Sequence, residues 1–294
     1  MDKWIAMKVS KLIEISEMDE KDIRDAVELT DKEDWSNTTE DWKRLCRIGG
    51  SIVAKEEGRL IGISTALDFG KIGTIGNVVV KEEERLSGIG RLLIEKSIEI
   101  LDKCETIKVH SLMPAASFYR KFDFIPAGMS TYFEFKMDEN SMQPFDVFES
   151  EDIISIDECW ENITEIDERQ FGGDRKKLLA EFKKTVPEMA LAKISDSGEV
   201  QSYIMAKGDE KYYEIGPWVI EPGCKDWQSL FDRAVSSAKK GSKIGILVPS
   251  QNYRITSYLE SIGYEARMYT TDMLRGGAWP NEENICARGG GDKG

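Results

Sequence analysis

The stretch Thr74–Gly90, TIGNVVVKEEERLSGIG, holds the residue types best spaced for chemistry. An apolar strand runs into a short charged turn, then into a glycine-spaced loop that opens an amphipathic helix. Gly88 and Gly90 lack a Cβ, so a ligand can approach the backbone closely. The free amides of the first helical turn, with the positive end of the helix dipole, form an anion site. Arg85 adds a positive charge beside it. Phosphate or pyrophosphate is the natural guest. The stretch is not a Walker loop, because no Gly-Lys-Ser/Thr follows. Nor is it the dinucleotide fingerprint, which needs a third glycine after a first strand. On pattern alone, a solvated strand-to-helix turn fits equally well.

The elements that must position this loop occur twice. In the first half, Ser16 to Asp19 reads as a capping box opening a helix to about Leu29, and Thr38 to Asp41 opens a second helix. A hairpin follows, Ser51–Ala54 and Leu60–Leu67 around Glu57-Gly58. Then come the strand Thr74–Val80, a helix Gly88–Leu101, the strand Thr106–Leu112, a helix Pro114–Phe122 and a strand Thr131–Lys136. The second half repeats the order: helices Ile156–Glu168 and Asp174–Thr185, and strands Glu188–Ile194, Val200–Lys207 and Tyr212–Ile220. After these come a helix Trp227–Lys239, the strand Lys243–Val248, a helix Asn252–Ser261 and the strand Tyr264–Thr271. Gly58 and Gly198 lie 140 residues apart, Tyr119 and Tyr258 lie 139, and Phe124 and Tyr264 lie 140. A stable offset across three landmarks marks an internal repeat. The polar stretch Asp138–Ser150, broken by Gln143-Pro144, places the domain boundary so that residues 1–140 and 141–294 form two domains. The Gly-rich end, Arg288–Gly294, reads as frayed.

Composition removes several function classes. The chain has 294 residues with 40 Lys and Arg against 54 Asp and Glu, a formal net charge of −14. That balance argues against a general nucleic-acid binder. No apolar run approaches a membrane span, and the N-terminus lacks the apolar core of a signal peptide. The five cysteines, Cys46, Cys104, Cys159, Cys224 and Cys286, are far apart, so neither a zinc ribbon nor a disulfide framework is expected. A cytoplasmic protein without a metal is the default reading. One histidine, His110, makes a Ser-His-Asp triad improbable, and its place on an inner strand suits a satisfied core residue.

Arg85-Leu86-Ser87-Gly88-Ile89-Gly90 matches Arg/Gln-x-x-Gly-x-Gly/Ala, and Ala116–Phe124, ASFYRKFDF, follows about thirty residues later. Together they resemble the GNAT superfamily of acyl-CoA N-acyltransferases over about residues 8–136. The second half resembles the degenerate C-terminal domain of a tandem-GNAT subgroup through Ile215–Val219, Val248-Pro249 with Asn252, Gly263-Tyr264 and Arg267–Tyr269. Trp35–Trp42 resembles that subgroup's first domain. The resemblance implies a mixed α+β fold: two tandem GNAT-like domains, each a mostly antiparallel twisted sheet flanked by helices. It places the acyl-CoA pantetheine along Val78, Val79 and Val80, and the pyrophosphate on Arg85, Leu86, Ser87, Gly88, Ile89, Gly90 and Arg91. It makes Tyr119 a candidate acid for the departing sulfur, against a packing role, and Asp34, Trp35 and Asn37 a wall of the acceptor site.

Three departures qualify the implication. Gly76 with Asn77 stands where many relatives carry a glutamate base, so the base is another carboxylate among Asp31, Glu33, Asp34, Glu40 and Asp41, a water chain, or solvent. Asp123 replaces a usual glycine. Glu221–Asp226 replaces the phosphate loop in the second half, and Pro217 removes an amide there. The implied function is acetyl-CoA-dependent transfer to a primary amine of a small molecule or peptide, with acetyl-CoA as co-substrate. No nucleic-acid or membrane partner is implied. The alternative is an acyl-CoA-binding regulatory module or an interaction scaffold. Either a monomer with two pseudo-symmetric halves or a homodimer fits.

Overall fold

The computed structural model describes residues 4–8, 11–35, 37–137, 150–278 and 282–290. Of the expected linker, Asp138–Ser150, all but Ser150 lies outside the described residues. The chain divides into two compact units, Met1–Val109 with Arg275–Gly277, and His110–Leu274 with Ala278–Asp292. The first division falls between Val109 and His110, whereas the repeats read from sequence meet at 140/141.

The first unit contains β1 (Trp4–Lys8), β2 (Lys11–Glu17), α1 (Ile23–Asp31), α2 (Thr39–Ile48), β3 (Ser51–Glu56), β4 (Arg59–Asp68), β5 (Ile72–Val80), α3 (Ile89–Ile100) and the start of β6 (Thr106–Leu112). The strands pair in that order, all antiparallel except β5 with β6. The β3–β4 hairpin turns on Glu57 and Gly58, both at positive φ, which matches the right-handed strand twist. Ser16 does not cap α1. It stays in β2 opposite Val53, and Asp19 caps the short 3-10 turn before α1 in a box with Asp22. Strand pairing outweighs the local serine cap. Thr38 and Asp41 do form the expected box at α2.

Helix α3 buries Ile89, Leu93, Ile94 and Ser97, one stripe at helical spacing. Ile89 and Leu93 pack with Ile13, Ile15, Ile52, Ala54 and Ile61. Each of the isoleucine and leucine side chains contributes about 1.5–3 kcal/mol on full burial. Gly62 permits the approach, since a Cβ there would lie 3.1 Å from Leu93 and 3.2 Å from Ile89.

The second unit contains α4 (Ala116–Tyr119), β7 (Ile125–Lys136), β8 (Ile153–Ser155), α5 (Trp160–Phe171), α6 (Lys176–Thr185), β9 (Leu191–Ile194), β10 (Val200–Asp209), β11 (Tyr212–Ile220), α7 (Trp227–Ser236), β12 (Lys243–Pro249), α8 (Tyr253–Ser261), β13 (Glu265–Gly276) and β14 (Ile285–Ala287). The strand order is β13-β7-β12-β11-β10-β9-β8, with β14 on β11, and only β11–β12 is parallel. Strand β7, which ends the first repeat, pairs with β12 on one edge and β13 on the other. The core gathers Trp218, Trp227, Phe231, Ile246, Leu259 and Tyr264.

The C-terminal end departs from expectation. Arg288, read as frayed, is fully buried, as are Ile285, Cys286 and Ala287. Three strand residues carry no readable periodicity, so β14 left no signal in the sequence. Residues 291–294 lie outside the described residues.

Candidate active site

In the first unit, β5 pairs with β6 only from Ile72 to Ile75. Beyond Ile75, no strand among the described residues pairs with that edge. The change begins at a bulge. Thr65 of β4 faces Gly76 and Ile63 faces Val79, so Asn77 and Val78 together oppose Ser64. The extra residue bends the strand. Asn77 takes a positive φ of 49° and its side-chain amide donates to Thr65 Oγ1 at 3.5 Å. Val79 is buried, while Val78 and Val80 are half-buried along the open edge. Such an edge can accept an extended ligand as an added strand would be accepted.

The loop that follows turns on two left-handed residues, Leu86 at φ 61° and Gly88 at φ 95°. The Leu86 side chain is fully exposed. Ser87 Oγ donates to the Glu84 carbonyl at 2.5 Å and fixes the turn. No side chain caps α3. Its first amides, from Ile89, Gly90 and Arg91, point out of the helix with the positive end of the dipole. A Cβ at Gly88 would meet nothing within 4 Å, so the space before these amides is open. Arg85 does not stand alone. Its Nε donates to the Val80 carbonyl at 3.2 Å and its guanidinium pairs with Glu33. Arg91 pairs with Glu95 at 2.8 Å.

Glu33 belongs to the segment expected to wall the acceptor. Asp34, exposed, turns the chain at φ 56°, and the Trp35 amide donates to the Thr30 carbonyl at 3.1 Å. Trp35 is half-buried and Asn37 is buried just before the Thr38 cap, while Ser36 lies outside the described residues. Asp41 accepts from the Thr38 amide and pairs with Arg44 at 2.7 Å, both buried, and Glu40 pairs with Lys43. Three of the five carboxylates considered as base are therefore held in ion pairs.

Tyr119 lies in the second unit. It is buried, with its ring edge-on to Phe118 at 5.4 Å and to Phe124 at 6.0 Å. Burial pushes its phenol well above the ordinary value, so it keeps its proton at neutral pH. Asp123 takes φ 64°, the left-handed turn that an aspartate tolerates. Burial, with Asp68 alongside, pushes the Cys104 thiol up to about 12, and burial also raises Cys46. Neither is an activated nucleophile.

His110 is bonded, as its inner-strand position suggested. Its Nδ1 sits 2.6 Å from Asp272 Oδ1. Asp272 also accepts from Ser130 at 2.9 Å and pairs with Arg288 at 2.8 Å. This buried cluster joins residues more than a hundred positions apart, so sequence reading missed Ser130, Asp272 and Arg288. Among the described residues no three metal-ligating side chains gather, and no helix is long and apolar enough to cross a membrane.

The second repeat keeps the strand geometry without the loop. Ala206 faces Ile215 and Ile204 faces Trp218, so Gly216 and Pro217 bulge from β11 in register with Asn77 and Val78. Helix α7 then begins after Asp226, at φ 47°, rather than after a glycine.

Acetyltransferase (GNAT) domain families match residues 47–126 and residues 163–285, together more than half of the chain. The chain belongs to the GNAT acetyltransferase superfamily, with two such domains in tandem. Among curated proteins no relative matches. A Pyrococcus horikoshii protein described as a candidate acetyltransferase has a similar structure, with TM-score 0.81, 17% identity and 98% of each chain covered. A tandem GNAT protein from the clavulanic acid biosynthesis pathway gives TM-score 0.64 at 14% identity, covering 90% of this chain and 98% of its own. A GCN5-related N-acetyltransferase from Sphaerobacter thermophilus gives 0.61 at 13%, covering 90% and 95%. At these identities the likeness is one of fold.

Proposed function

We propose that the chain is an acetyl-CoA-dependent N-acetyltransferase that acylates a primary amine of a small molecule or peptide in a ternary complex. The observation that carries this reading is the open edge of β5 running straight into the uncapped start of α3. Val78, Val79 and Val80 would align the pantetheine, and the amides from Leu86 to Arg91 would hold the pyrophosphate. Arg85 would add its charge on leaving Glu33. Asp34, Trp35 and Asn37 would line the amine's approach.

The neutral amine forms a bond to the thioester carbon, and the C–S bond then breaks. Proximity supplies much of the acceleration, and a strand amide near Val78 would stabilise the tetrahedral oxyanion. The departing thiolate would take the Tyr119 phenolic proton. The proton lost by the attacking nitrogen passes to water or to a carboxylate, because Gly76 and Asn77 offer no base. Tyr119 is reprotonated from solvent.

The test is CoA release measured with a panel of amines, alongside calorimetry with acetyl-CoA. Amine-dependent release with one site per chain supports the proposal. Binding without release from any amine would make the chain an acyl-CoA sensor, and no binding would make it a scaffold.

A further inference from the structure

The edge of β11 that corresponds to the open edge of β5 is occupied. Strand β11 pairs with β12 only from Tyr212 to Ile215. Past the Gly216–Pro217 bulge, Trp218 and Val219 pair instead with Ala287 and Ile285 of β14. The tail also reaches the other wall, where the Arg288 amide donates to the Leu247 carbonyl of β12 at 3.0 Å. We infer that the second repeat is a strand-accepting cleft whose resident ligand is the chain's own C-terminal segment, Ile285–Arg288. It lies where the pantetheine arm is placed in the first repeat. That last correspondence rests on the proposed function, whereas the occupancy by β14 does not.

Four contacts make this a fitted ligand. Asn252 Nδ2 donates to the Ile285 carbonyl at 3.4 Å, and Asn284 Nδ2 donates to Gln170 Oε1 at 3.1 Å. The Arg288 side chain, fully buried, pairs with Asp272 at 2.8 Å and donates from Nε to Ser130 at 3.1 Å. Gly216 fits the tail from below: a Cβ there would lie 1.9 Å from the Arg288 carbonyl oxygen. Pro217, which has no amide to offer, sits where the cleft changes partner. The cleft thus selects an extended segment with small residues at Cys286 and Ala287, followed by an arginine that enters a buried carboxylate. This is β-strand addition with a charged anchor, supplied in cis.

Cys286 reports the state of the tail. It is fully buried, and burial holds its thiol up at about 12. In the native chain, alkylation of Cys286, resolved by peptide mass, should run about a hundredfold slower than in the unfolded chain. The amides of Trp218 and Val219 should show matching hydrogen-exchange protection. The substitution Arg288→Glu sets a carboxylate against Asp272. It should release the tail and raise Cys286 alkylation about a hundredfold. A synthetic peptide of sequence Asn284–Gly290 should then bind the variant, but not the parent chain, whose cleft is full. Cys286 reacting at the unfolded rate in the parent chain would overturn the inference. So would exchange-labile Trp218 and Val219 amides, a measurement that needs no variant. A released tail in Arg288→Glu with no peptide binding would also overturn it. If acetyl-CoA fails to bind while Cys286 protection and peptide capture hold, the proposed function fails and the filled cleft stands.

Discussion

Strands β5 and β11 follow the same course. Each pairs in parallel with its neighbour for four residues, bulges at the same register and then parts from that neighbour. After the bulge they differ. The edge of β5 leads to Gly88 and the uncapped amides of α3, while the edge of β11 is paired with β14. Backbone amides and carbonyls inside a cleft need partners. The two repeats show two outcomes in one chain: the edge of β5 past Ile75 pairs with no strand among the described residues, and the matching edge of β11 is filled by β14. A repeated fold can therefore leave a strand edge open in one copy and satisfy it with another segment in the other.

The sharpest way to break the comparison is to separate the repeats. Both neighbours of β7 belong to the second repeat, so a fragment of residues 1–140 leaves an apolar strand with neither partner. The fragment should fail to give a stable monomer by size-exclusion and thermal melting. A cooperative melt equal to that of the full chain would show that the first repeat keeps its own seventh strand.

Next in size is a matched pair of glycine substitutions. Gly88 at φ 95° and Gly223 at φ 89° both have open space where a Cβ would go. Valine at either position should cost about 1–2 kcal/mol of stability for the left-handed backbone. Only Gly88→Val should also weaken acetyl-CoA binding, by about a hundredfold, because its side chain enters the anion's place. Equal losses of binding in calorimetry would mean that the phosphate loop is not the site.

Tyr119 and Tyr258 occupy matching positions in the two repeats. Tyr119→Phe should lower kcat by about a hundredfold with acetyl-CoA affinity unchanged, since a leaving-group acid acts only in the transition state. Tyr258 donates to Asp232 instead, and Tyr258→Phe should leave kcat alone. Burial raises the Tyr119 pKa, so the acid form persists on the alkaline side. The fall in kcat due to this group should therefore lie above pH ~10, the ordinary phenol value. An alkaline limb near pH 7, or an unchanged kcat in Tyr119→Phe, would return Tyr119 to packing.

The smallest expected effect concerns Arg85. Glu33→Gln removes the carboxylate that pairs with its guanidinium. Acetyl-CoA should bind about two- to threefold tighter at low salt, the scale of a half-exposed ion pair. The gain should vanish at high ionic strength. A gain that survives high salt would assign the effect to a rearranged α1–α2 segment.

The amino-acid sequence determined the parts that depend on neighbours within about ten residues. These include the Thr38–Asp41 cap, the Glu57-Gly58 hairpin, the left-handed Asp123 and the glycine loop before α3. Each is set by local sterics, a cap hydrogen bond or a short periodicity, and each can be read one window at a time. Tertiary structure alone decided which strand edges stayed open. It put β7 between β12 and β13, brought the tail to β11, gathered His110, Ser130 and Arg288 around Asp272, and tied Arg85 to Glu33. Strand pairing is satisfied by any segment of compatible shape that reaches an open edge. The choice between a seventh strand, a C-terminal tail and a cofactor is therefore made in space, by which edges the rest of the fold leaves unpaired.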